Sequence, residues 1–144
     1  MIDEIIQKLS DEIPRLKERV QGAVDFGKLV AGGQMPSSTF SAFVLPSGLS
    51  GRGVYSTTGA FTQEFEEAAS IVLAIRSFDA SGKQALDPMR ELIMEVFRSL
   101  GGWAPSEDAP DVLRLLNGRL LSMQAGLLVY QLDFALTDQM RIAR

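Results

Sequence analysis

The 144 residues carry a net charge of −4 and contain no cysteine and no histidine. This excludes disulfides, thiolate chemistry, the usual general base at neutral pH and the commonest zinc ligand, leaving oxygen ligands alone for any metal. The fourteen Lys and Arg are scattered along the chain, against the clustered cations a nucleic-acid footprint requires, and the length suits one core rather than two.

Ile2, Ile5, Ile6, Leu9, Ile13 and Leu16 fit a helical stripe that Pro14 should end or bend near Glu12. This opening is charged and helix-like, without the form of a signal peptide, and no apolar run approaches the ~18 residues of a membrane span, so a reducing cytoplasm is the expected setting. Leu16 to Ala23 reads as a final turn or a short strand, and 25–38, punctuated by Gly27, Gly32, Gly33 and Pro36, as irregular. Thr39 to Leu45 has strand composition and ends at Pro46. Residues 46–60, glycine- and serine-rich with no apolar period, read as a long flexible loop, the first place to look for an interaction surface.

Phe61 to Arg76 returns to strand character, apolar on both faces toward its end, with a bend or bulge expected near Glu66. Residues 79–83 read as a turn. Asp87 is the expected N-cap and Pro88 the first residue of a helix whose face is Met89, Leu92, Ile93, Val96, Phe97 and Leu100, stopped by Gly101. After an irregular crossing at 102–110, Val112 to Met123 is one strand, or two pieces joined at Asn117–Gly118, or a helical turn followed by a strand from Arg119. Leu127 to Thr137 alternates: Leu128, Tyr130, Leu132, Phe134 and Leu136 on one face, Gln131, Asp133 and Thr137 on the other. The first face should lie under the helix carrying Leu92, Val96 and Phe97. The expected fold is one α+β domain over 1–144: a mixed, mainly antiparallel sheet of about four strands against two or more helices.

Enzyme signatures fail. Gly48 to Gly53 lacks the GK[ST] ending of a phosphate-binding loop, calcium-loop spacing is missing, and no Lys is placed as base for a serine, so no cofactor is expected. Glu64 and Glu66 share a face, which reads as solvated surface before it reads as an acid-base pair. Asp133 invites a salt bridge to Arg119 or Arg76. Trp103 is either a plug over the end of the core or an aromatic wall of a partner surface.

Leu100-Gly101-Gly102-Trp103-Ala104-Pro105, preceded by FEEAASIVLAIRS at 65–77 and followed by a hairpin ending in Tyr130-x-Leu132-x-Phe134, resembles the small tail terminator (tail completion) proteins of long-tailed bacteriophages and Mu-like prophages. The order of an N-terminal helix, Val20-x-Gly22-Ala23, a strand ending at Phe43 to Pro46, a long loop and a central strand extends the resemblance over almost the whole chain. It implies a structural virion protein of the tail, assembled in the host cytoplasm as a hexameric ring. That ring would cap the head-proximal end of the tube, stop polymerisation of the major tail tube protein and face the neck, with DNA passing through unbound and no membrane involved. Under it, Arg52, Val54 and Tyr55 become loop contacts, and Glu64, Glu66, Trp103, Gln131 and Asp133 further interface candidates. A neck or head-completion adaptor is the neighbouring alternative; a carboxylate-using enzyme or a generic interaction domain is the alternative of another class.

Overall fold

A computed structural model describes residues 1–32, 38–77, 83–109, 111–124 and 126–144. In chain order these form α1 (Ile2–Glu12), a 3-10 turn (Pro14–Leu16), β1 (Val20–Gln21), α2 (Ala23–Gly32), β2 (Phe40–Thr57), β3 (Ala60–Arg76), a second 3-10 turn (Lys83–Ala85), α3 (Leu86–Leu100), β4 (Arg114–Gln124) and β5 (Leu127–Ala143). The strands make one sheet in the order β1-β2-β3-β5-β4. It has five strands rather than about four: the extra one is β1, two residues long and parallel to β2, while every other pairing is antiparallel. It lies within Leu16 to Ala23, where the sequence leaves a final turn or a short strand open, since two residues are too few to show a period.

The register assigns every strand residue to a face. Ile71 pairs with Leu132, Ala69 with Phe134, Leu73 with Tyr130 and Ile75 with Leu128, and across β2 Ala42 and Val44 meet Leu73 and Ile71. These side chains form the main core with Ile5 and Leu9 of α1 and Met89, Leu92, Val96 and Leu100 of α3. Phe97 meets Phe134 edge-on, with ring centroids 6.3 Å apart, as expected of a β5 face lying under α3. The opposite face is also covered near the sheet centre, where Phe26 of α2 packs on Phe43 at 5.2 Å beside buried Val72 and Ala74. β3 is thus a central strand dressed on both sides.

Several expectations are corrected. The segment expected to be irregular from 25 contains α2, whose stripe of Phe26 and Leu29 is too short and too interrupted by glycine to announce a helix; residues 33–37 of that segment, and 79–82 of the expected turn, lie outside the described residues. α3 begins at Leu86 with Ala85 as N-cap, so Asp87 sits in the first turn, where its charge still complements the helix dipole. Asn117–Gly118 is no turn: both lie within β4, opposite Asp133 and Leu132. A Cβ on Gly118 would come within 2.8 Å of Leu132 and 3.0 Å of the Tyr130 ring, so the glycine answers a close approach rather than a bend.

The largest correction concerns 46–60. Residues 40–57 are one strand, and β2 and β3 form a hairpin turning at Thr58–Gly59. Pro46 is accommodated inside β2 at a register shift on the side where β1 has already ended, so its missing amide is not needed. The expected irregularity near Glu66 lies on the neighbouring strand instead, between Gly51 and Val54, while β3 and β5 pair without a break from Ala60↔Ala143 to Arg76↔Leu127.

Two helices are tied by one carboxylate. Glu12 of α1 accepts from the Lys8 ammonium at 2.5 Å and from the Ser99 hydroxyl of α3 at 2.6 Å. The Lys8 contact, and after it Ser99, hold the Glu12 carboxyl below its ordinary pKa. A depressed carboxyl stabilises the fold above its ordinary pKa and loses that contribution as pH falls through the lowered value. NMR titration of Glu12 should therefore show Ser99→Ala moving its pKa upward, toward the ordinary value, and Lys8→Ala moving it further. In urea unfolding, Phe134→Ala should cost about 3–5 kcal/mol as a fully buried aromatic, whereas Leu49→Ala, at a position 73% exposed, should stay within about 0.5 kcal/mol.

Candidate functional site

Past the helices the sheet does not stop. The distal parts of β2, β3 and β5 continue as a three-stranded arm, Thr57↔Ala60 and Ala60↔Ala143 marking its end. Register divides the arm as it divides the body. On the side continuous with the main core lie Leu49, Val54, Phe61, Phe65, Met140 and Ile142; on the other lie Ser50, Tyr55, Thr62, Glu64, Glu66 and Gln139. Leu49, Val54, Tyr55 and Met140 are exposed, and Phe61, Phe65 and Ile142 are half-buried by their own neighbours. The candidates Val54 and Tyr55 thus share the arm but point to opposite sides.

The polar side of the sheet is organised around two half-buried carboxylates. Glu66, 11% exposed, receives Arg52 at 3.1 Å from β2 and Arg114 from β4, both on the same oxygen. Arg114 also donates to the Thr137 hydroxyl at 3.4 Å. Asp133, 15% exposed, accepts from the Ser70 hydroxyl at 2.5 Å and from Gln131 at 2.9 Å, while Gln131 also donates to Ser70 at 3.2 Å. Arg119 stands 3.7 Å from the other Asp133 oxygen, which realises one of the two salt bridges expected for Asp133. These pairs follow from register: Ser70 lies directly opposite Asp133, and Glu66 opposite Thr137.

The structure therefore gathers Arg52, Glu66, Gln131 and Asp133 on one sheet face, with Glu64 and Tyr55 further out along it. Trp103 is elsewhere. It follows α3 on the helical side, half-buried against the core, with the Lys8 ammonium 4.9 Å from its ring centroid. Gly101 and Gly102 place it there: a Cβ on Gly101 would meet the Phe97 carbonyl at 2.9 Å, and Gly102 turns with φ +77° so that the Trp103 carbonyl accepts from Leu113.

Sequence reading missed Ser70 and Arg114, the partners that complete both clusters. A lone serine inside the apolar run AASIVLAI is a visible anomaly at position 70; Arg114 becomes meaningful only once β4 is laid beside β5. Chemically the clusters are satisfied hydrogen-bond networks. Among the described residues no buried side-chain polar atom lacks a partner and no group of three acidic side chains is arranged to hold a metal. Among the described residues no helix is long and apolar enough to cross a membrane.

A family model described as phage tail terminator protein matches residues 2–144. No curated protein matches the chain.

Asp133→Ala should cost about 1–3 kcal/mol in urea unfolding followed by Trp103 fluorescence, because the Ser70 hydroxyl, 2% exposed, loses its acceptor. Asp133→Asn keeps an acceptor in place and should cost less.

Proposed function

The chain belongs to the phage tail terminator family, and on that premise we propose that it closes the head-proximal end of a tail tube as a ring of identical subunits. The family points to a structural role in completing the tail, and to contacts with other tail components. The finer reading is that the ring stops addition of tube subunits and offers its far side to the neck. The match over residues 2–144 carries this reading.

Physical features support it. The arm holds a surface of six apolar side chains that its own helices do not cover, which a lone soluble subunit has little reason to keep. A ring buries such a surface at a repeated interface, and the energetics of function are then those of association, with no covalent step. A net charge of −4, with Arg52, Arg114 and Arg119 already committed to Glu66 and Asp133, suits a passage through which DNA moves without adhering. Assembly in the host cytoplasm as a hexamer, on the tube protein below and a neck protein above, completes the proposal.

Added to polymerising tube protein, the purified chain should shorten tubes in proportion to its concentration, and native mass spectrometry of the tube-end complex should give a closed oligomer. Unchanged tube lengths, with no binding to tube ends, would refute the reading.

A further inference from the structure

We propose that the apolar side of the arm docks into a strip between α3 and β4 of a neighbouring copy, so that each subunit gives an arm and receives one; this rests on the ring reading above and specifies its contact. The strip is another uncovered apolar surface among the described residues. Leu86, Ile93 and Phe97 recur at helical spacing on one side of α3, and it is not the α1 side, because Ser99, which lies away from them on the helix, is the residue that reaches Glu12. Phe97 against Phe134 places that side over β5. Beside it, Leu120 and Met123 of β4 lie opposite Tyr130 and Leu128 on the same sheet face. Leu86, Phe97, Leu120 and Met123 are all exposed, Leu120 by 51%. β4 is also an edge strand, and an exposed apolar edge is a surface that proteins normally charge or cover.

The occupant is a second copy for three reasons. A subunit's own arm cannot reach its own strip: Tyr130 beneath the strip and Met140 on the arm lie on one straight ladder, about 34 Å apart at ~3.4 Å per residue. The charges also match. At the base of the arm, on its apolar side, Glu67 and Asp138 line one recess, and neither has a salt bridge among the described residues. Arg90, in the same helical row as Leu86, Ile93 and Phe97, is likewise without a salt bridge among the described residues. Finally, the two patches differ, so their union is head-to-tail, the kind of contact that builds a ring, whereas a self-complementary patch stops at a pair.

The absence of cysteine makes the contact directly testable. Val54→Cys and Leu120→Cys are prepared separately, mixed in the presence of tail tubes polymerised from the major tube protein, and treated with a short bismaleimide. The expected result is a covalent dimer in the mixture and none from either variant alone. Adding Glu67→Arg to the Val54→Cys chain should reduce that dimer, and adding Arg90→Glu to the Leu120→Cys chain should restore it. Val54→Cys coupling to itself would show arms paired about a two-fold axis, and coupling to the tube protein alone would show the arm docked there; either overturns the proposal. Closed oligomers in native mass spectrometry without the mixed crosslink would overturn this contact and leave the ring standing. Neither oligomer nor crosslink with tubes present would remove both.

Discussion

The structure depends on the unbroken pairing of β3 with β5. Each strand is 17 residues long, and the ladder between them runs its full length without a bulge. α1 and α3 cover only the half that carries Ile71, Leu73, Leu132 and Phe134. Because side chains alternate strictly across such a ladder, the apolar side of the covered half continues as the apolar side of the uncovered half. Phe61, Phe65, Met140 and Ile142 therefore project beyond the helices as a consequence of register, Met140 exposed and the other three half-buried only by their neighbours on the arm.

The same ladder explains the polar side. Serine, glutamine and aspartate at 70, 131 and 133 are brought together by facing positions on two strands, and Arg119 completes them from β4. A half-buried carboxylate needs such partners to remain charged at acceptable cost. Glu66 with Arg52 and Arg114 repeats the arrangement one step toward the arm, tying β2 and β4 to the central pair. Gln131 and Asp133, which the family resemblance made interface candidates, are thus first of all parts of the sheet's own bonding.

Much of the body was legible from sequence because each element there is amphipathic in its own period. α1 ends at Glu12 before Pro14, α3 presents Leu92 and Val96 inward, and β5 alternates as a half-buried strand should. The arm was not legible in β2, and the reason is physical. Residues 46–57 lie beyond the covering helices on either face, so little enforces alternation there, and the strand is held by backbone bonds to β3, which side-chain patterns do not record. α2 was hidden by glycines, and its role emerges only from the contact of Phe26 with Phe43. Among the site residues, Glu66 and Asp133 stood out as charges in strands, whereas the roles of Glu67, Asp138, Arg90 and Leu120 exist only once faces are assigned.

Membership of the tail terminator family gives the chain a structural role in completing the tail, and the exposed apolar side of the arm is the surface proposed above to serve that assembly. The most direct measurement is the length of tails, by electron microscopy, in particles produced without this chain. The account predicts overlong, variable tails that return to uniform length when the chain is supplied; finished tails of normal length beside unattached heads would contradict it and make the protein a neck adaptor.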